Sequence, residues 1–116
     1  MRAVITLGLG MGAVLAGGCG PNCQSTCQTI FDETQPHCGI HIPGKAPEES
    51  ISDCISACEY ALQYPGDVGD YNPFEPNTTG ASVTLDNEKQ AAIWMECVEE
   101  TACPDIADGY CAPISF

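Results

Sequence analysis

Basic residues are nearly absent from this 116-residue chain, in which three Lys and Arg stand against 16 Asp and Glu and the net charge is −13 at pH 7. Because a chain with this much negative charge repels nucleic-acid phosphates, we expect no nucleic-acid partner. Divalent cations and basic proteins are the partners that electrostatics permits. The alternative is that the charge only keeps a small surface domain soluble.

Large apolar residues are also few. Residues 19–116 contain 16 Leu, Ile, Val and Phe, a composition that would usually indicate disorder in a chain of high net charge. Eight cysteines after position 19 favour a folded domain, because each disulfide contributes about 2–4 kcal/mol by restricting the unfolded chain. We therefore expect a small exported domain whose fold depends on oxidation.

Motifs of catalysis are missing as well. The chain has no C-x-x-C redox pair, no C-x-x-C-H haem attachment sequence and no G-x-S-x-G nucleophile motif. We expect neither enzyme activity nor a cofactor.

The N-terminal segment has the features of an export signal. Met1 and Arg2 give a positive start, and residues 3–18 form an uncharged, apolar run. That run is shorter than the ~20 apolar residues that a transmembrane helix needs. We assign residues 1–18 to a signal peptide.

The end of this run resembles the lipobox of bacterial lipoproteins, in which a Cys after small residues is acylated and becomes the new N-terminus. Ala16 stands where that family usually has Leu. The resemblance implies lipidation of Cys19, an anchor segment over residues 19–22 and attachment to a membrane through the lipid. After the Cys stands Gly20, and not the Asp of an inner-membrane retention signal. The resemblance therefore implies the outer membrane. The residues that carry the resemblance are Leu15, Ala16, Gly17, Gly18 and Cys19.

An ordinary signal peptide cut near Gly18 is the alternative, with Cys19 as a further disulfide partner. The chain has nine cysteines, and setting Cys19 aside leaves an even set that can pair completely, which favours lipidation. The domain would begin four residues after Cys19, so we expect it to lie against the membrane surface. The even set is Cys23, Cys27, Cys38, Cys54, Cys58, Cys97, Cys103 and Cys111.

Three stretches have the apolar spacing of helices, and they predict a small all-α domain over residues 23–116. The second stretch begins near Pro47 and ends before Pro65, and the third runs from about Asn87 to Thr101. A long irregular loop is predicted at about 64–82. The predicted inward faces are Cys23, Cys27, Ile30, Phe31 and Thr34, then Ile51, Cys54, Ile55, Cys58 and Leu62, then Ile93, Trp94, Cys97, Val98 and Thr101.

The first two predicted helices each carry a C-x-x-x-C pair, whose cysteines project from the same side of a helix. Two antiparallel helices with facing pairs can be joined twice, by Cys23–Cys58 and Cys27–Cys54. This arrangement resembles the α-hairpinins, in which two disulfides join two helices. The resemblance implies a local geometry and no activity.

Four further cysteines allow three pairings. Because Cys97 lies on the inward face of the third predicted helix, we expect it to bond Cys38. Cys103 and Cys111 would then close the loop between them.

Two groups of residues invite a metal-site hypothesis. His37, Cys38 and His41 include zinc ligands, but a disulfide at Cys38 is expected in an oxidising compartment. Between positions 67 and 77, oxygen ligands are crowded as in calcium sites, although without the spacing of an EF-hand. We favour a solvated loop there. The calcium candidates are Asp67, Asp70, Asn72 and Glu75, with Asn77 beyond them.

Taken together, these features favour a non-enzymatic, lipid-anchored envelope lipoprotein with a structural or adaptor role and a protein partner in the envelope. In this respect the chain resembles small cysteine-rich lipoproteins of Gram-negative bacteria. The alternative is a calcium- or small-ligand-binding lipoprotein that uses residues 67–77. The loop aromatics Tyr64, Tyr71 and Phe74 are expected mostly to pack onto the core.

Overall fold

The computed structural model describes residues 20–79 and 83–114. Within these ranges the chain forms four helices and no strand, so the prediction of an all-α, disulfide-rich domain is confirmed. The predicted count of three helices was one short, because a short helix follows the third. The helices are α1 (Cys23–Phe31), α2 (Pro47–Ala61), α3 (Glu88–Glu100) and α4 (Cys103–Ala107). None of these described helices has the length and apolar character needed to cross a membrane.

The helices begin at residues suited to the role. The Asn22 side chain accepts a hydrogen bond of 2.8 Å from the Ser25 N–H, and the Ser25 hydroxyl accepts one of 3.1 Å from the Asn22 N–H. This capping box satisfies two amides at the start of α1. Pro47 opens α2, and the Asn87 side chain accepts from the amides of Lys89 and Gln90 at the start of α3, as the sequence predicted.

Two disulfides join α1 to α2. Cys23 bonds Cys58 and Cys27 bonds Cys54, with Cα–Cα distances of 5.7 Å and 5.9 Å. These are the two pairs expected from the C-x-x-x-C spacing. The first cysteine of α1 bonds the second cysteine of α2, and the second of α1 bonds the first of α2. The two helices therefore form an antiparallel hairpin.

The expected pairing of the other four cysteines was wrong. The structure joins Cys38 to Cys103 and Cys97 to Cys111. Residues 103–107 are helical instead of forming a disulfide-closed loop, and the chain then turns back so that Cys111 reaches α3. The Cys38–Cys103 bond thereby ties the α1–α2 connection to α4.

The core lies between the α1–α2 hairpin and α3, and five of the eleven largest fully buried side chains are cysteines. Trp94 on α3 is completely buried, and its indole N–H donates a hydrogen bond of 3.0 Å to the Cys111 carbonyl. The Cys58 sulfur lies 4.0 Å from the Met95 sulfur, so the hairpin disulfide itself packs against α3. The largest fully buried side chains are Trp94, Phe31, Ile30, Ile106, Pro73, Cys27, Cys54, Cys58, Cys97, Cys111 and Ser50.

Three residues of the predicted inward faces, Thr34, Leu62 and Thr101, lie outside the helices, and the first two are exposed. Thr34 is exposed because α1 ends at Phe31. Leu62 is exposed because α2 ends at Ala61, which takes the buried position. The sequence predicts both residues on the inward faces only if the helical spacing continues beyond the last turn of each helix, and it does not.

Candidate functional surface

The open end of the α1–α2 hairpin is the part of the domain nearest the N-terminal segment. Cys19 and the rest of residues 1–19 lie outside the described residues. The described chain begins at Gly20, three residues before α1, and Cys23 is bonded there to Cys58 near the end of α2. The hairpin disulfide thus holds the end of α2 beside the point where the chain enters the domain.

A groove of about 180 Å³ runs beside this entry point. Its polar lining is already used within α1: Ser25 takes part in the capping box, and the Thr29 hydroxyl donates a hydrogen bond of 2.9 Å to the Ser25 carbonyl. The groove is therefore a seam between α1 and α3 in which the Ser25 and Thr29 hydroxyls already have partners within the chain. It is lined by Gly20, Pro21, Ser25, Thr26, Thr29, Val98 and Glu99.

The calcium candidates do not come together as a site. Asp67, Asp70, Asn72 and Glu75 are all exposed. The Asn72 side-chain oxygen accepts a hydrogen bond of 3.0 Å from the Phe74 N–H, which is a local turn contact. Among residues 20–79 and 83–114, no group of three or more His, Cys, Asp or Glu side chains is placed to hold a metal ion.

The irregular loop is instead attached to the C-terminal segment. The Cys111 N–H donates a hydrogen bond of 2.7 Å to the Pro73 carbonyl, and the Asn77 N–H donates one of 2.9 Å to the Gly109 carbonyl. The Tyr71 hydroxyl donates to the Ala112 carbonyl. Burial raises the pKa of Tyr71 above its ordinary value, which keeps the phenol protonated as this contact requires. The loop is thus part of the folded framework over its described residues.

Gly109 makes this attachment possible. Its φ of +112° lies in a region that L side chains rarely adopt, and a Cβ there would lie 2.6 Å from the Asn77 carbonyl oxygen. Only glycine satisfies both conditions.

An unfavourable backbone conformation alone costs about 1–3 kcal/mol. We expect Gly109→Ala to lower the free energy of unfolding by more than this, because its Cβ would also lie too close to the Asn77 carbonyl oxygen. Gly44→Ala is the matched control, because Gly44 has a φ of +85° but open space around its Cβ position. Urea unfolding followed by circular dichroism measures both variants. Equal losses in the two would show that the Gly109–Asn77 approach is unimportant.

The two histidines do not form a metal site with Cys38, whose sulfur is bonded to Cys103. His37 Nδ1 lies 3.6 Å from Asp32 Oδ2 and is buried without a hydrogen-bond partner, whereas His41 is exposed. A hydrogen bond of 2.8 Å from the Thr34 N–H lowers the pKa of Asp32. The carboxylate is therefore charged at neutral pH.

Exposed apolar side chains are concentrated in one short stretch after Cys58. Tyr60 is 60% exposed, Leu62 42% and Tyr64 44%. The two tyrosine rings lie 5.0 Å apart, and the Tyr64 hydroxyl donates a hydrogen bond of 3.0 Å to that of Tyr60, which raises the pKa of Tyr64. We call these three residues the aromatic ridge.

Sequence reasoning missed most of this surface. Tyr60 was not singled out, and Leu62 was assigned to the core. Of the loop aromatics, Tyr71 packs against the core as expected, whereas Tyr64 and Phe74 are 44% and 41% exposed. The signal available in the sequence was the Tyr-x-x-x-Tyr spacing at the end of α2, which places both rings on the same side of a helical turn.

Comparisons with known proteins add no relative from which a function could be transferred. No protein-family model, no curated protein and no solved structure matches this chain.

Proposed function

We propose that this chain is a non-enzymatic, lipid-anchored lipoprotein of the bacterial cell envelope, held in the outer membrane through an acylated Cys19. Its role in this proposal is structural or adaptor-like. The folded domain presents a surface to a protein partner in the envelope.

The observation that carries the proposal is the complete pairing of the other cysteines. Cys23, Cys27, Cys38, Cys54, Cys58, Cys97, Cys103 and Cys111 form four disulfides with one another. None of them is left to bond Cys19. This pairing argues against a disulfide at Cys19 within the chain and supports acylation as the role of the thiol at the end of the apolar run.

The start of the domain is also consistent with a short tether. The capping box begins α1 at Asn22, and only Gly20 and Pro21 lie between it and Cys19. Three residues span at most about 11 Å when extended. A domain on so short a connection lies at the membrane surface.

Calcium binding by residues 67–77 is not proposed as a second function. The exposed carboxylates of that stretch are not gathered, and its backbone is attached to the C-terminal segment.

The wild-type protein is expected to start at Cys19 and to carry acyl chains, and Cys19→Ser is expected to lose them, because serine lacks the thiol that is acylated. Mass spectrometry of the intact protein and its N-terminal peptide measures this, alongside membrane fractionation. A double variant, Cys38→Ser with Cys103→Ser, is the control, since it loses two thiols but keeps Cys19. An unacylated wild-type N-terminus, or a cleaved Cys19→Ser protein that stays with the membrane, would contradict the proposal.

A further inference from the structure

The aromatic ridge lies at the end of the domain where the N-terminal segment enters. Tyr60 follows Cys58 by two residues, and the Cys58 and Cys23 Cα atoms are 5.7 Å apart. Cys23 is four residues beyond Cys19, a reach of at most about 14 Å. The ridge and the chain that leads back to residue 19 are therefore at the same end of the α1–α2 hairpin, although they are far apart in the sequence.

The three side chains of the ridge are uncharged, although Glu59 precedes Tyr60 and Glu88 is hydrogen-bonded through its backbone to Tyr64. Residues 60–66 carry no charged side chain, whereas residues 19–116 contain 16 acids against two lysines. A tyrosine has an apolar ring and a polar hydroxyl, a combination suited to the boundary between lipid and water. Leu62, half a helical turn from both tyrosines, is a further exposed apolar side chain at the end of α2. An uncharged aromatic surface on an acidic domain fits a neutral lipid head-group region better than an anionic one.

The backbone that carries the ridge is also fixed by hydrogen bonds before any contact. The amides of Leu62, Gln63 and Tyr64 donate to carbonyls at the end of α2, at 3.1 Å in each case. The Glu88 N–H donates a hydrogen bond of 2.8 Å to the Tyr64 carbonyl, which ties the turn to the start of α3. Little conformational freedom is lost when a surface arranged in this way binds.

We propose that the aromatic ridge is a second membrane contact, which inserts into the head-group region of a neutral bilayer and fixes the orientation of the lipid-anchored domain. The inference rests on the proposed function, since it takes the bilayer to be present beside residue 19. A lipid chain together with a protein surface is a common pair of membrane signals. In this arrangement the α1–α2 hairpin meets the membrane with its open end.

The test uses the full acylated protein in phosphatidylcholine vesicles, with and without bromine on the acyl chains. Tyr60→Trp places a fluorescent reporter on the ridge, and Phe74→Trp places one at a similarly exposed residue of the loop. The wild type supplies the baseline, because its single tryptophan, Trp94, is fully buried. Circular dichroism and non-reducing peptide mapping establish that each variant keeps its fold.

We expect brominated lipid to remove more than half of the added emission of the Tyr60→Trp protein and to leave that of the Phe74→Trp protein unchanged. The proposal would be overturned if brominated lipid left the added emission of both variants unchanged. Equal quenching in both would also overturn it, because the domain would then have no fixed orientation. A blue shift in Tyr60→Trp without quenching would overturn the membrane contact and assign the ridge to a second copy of this chain.

The same samples separate this inference from the proposed function. Flotation of the vesicles and the mass of the N-terminal peptide report the lipid anchor. A protein that floats and is acylated, but whose ridge reporter is not quenched, would overturn the ridge contact alone. A protein that is not acylated would overturn the proposed function itself.

Discussion

Reduction of the four disulfides is expected to abolish nearly all helical circular dichroism of the domain at neutral pH. Ordering a residue costs about 1.5 kcal/mol, and so few large apolar side chains cannot offset this over the whole domain. Disulfides contribute about 2–4 kcal/mol each, more for longer loops. Here they close sequence separations of 35, 27, 65 and 14 residues. Mutual repulsion of the excess carboxylates opposes the compact state further.

The measurement starts from protein reduced in denaturant, alkylated at every cysteine and transferred to buffer. The control passes through the same denaturant with its disulfides intact and is expected to regain its helical signal. A cooperative melt in the alkylated sample would show that the apolar core is sufficient alone, and that the disulfides are secondary.

Mild reductant is expected to open Cys38–Cys103 first. Both of its cysteines are half-exposed, whereas the residues of the other three disulfides are buried. A thiolate must reach the sulfur that it attacks, so exposure favours this bond. Timed alkylation with peptide mapping orders the four bonds, and the double variant of Cys38 and Cys103 is expected to keep its helical signal.

Trp94→Ala is expected to lower the free energy of unfolding by about 3–5 kcal/mol with all disulfides intact, which is the usual range for removing a large buried aromatic side chain. The substitution leaves a cavity between α3 and the hairpin. It also removes the donor to the Cys111 carbonyl, and an unsatisfied buried acceptor costs about 1–3 kcal/mol.

Trp94→Phe and Tyr60→Ala are the matched controls. The first keeps most of the volume and removes only the indole N–H, so its loss is expected to be smaller. The second removes an aromatic ring on α2 that is 60% exposed, so little change is expected. Guanidinium unfolding followed by circular dichroism measures all three. A Trp94→Ala protein as stable as the Tyr60→Ala protein would contradict the described core.

Local patterns predicted the parts of the fold that depend on neighbouring residues. The start of α2 at Pro47 and the cap of α3 at Asn87 follow from rules that concern a single helical turn. The pairs Cys23–Cys58 and Cys27–Cys54 could also be predicted, because a spacing of four residues on two facing helices leaves one antiparallel match at equal heights. Acidity and the apolar N-terminal run are likewise properties of the sequence alone.

The tertiary structure decided what depends on long-range contacts. Cys38 bonds Cys103 across 65 residues, and no local spacing indicates where the intervening chain will bring its ends. The Pro73–Cys111 and Asn77–Gly109 hydrogen bonds convert a loop that looked like a ligand site into part of the framework. The Cys23–Cys58 bond likewise determined that the end of α2, which carries Tyr60, lies beside the start of α1. Disulfide geometry requires Cα atoms within about 7 Å, and only the folded chain determines which cysteines come that close.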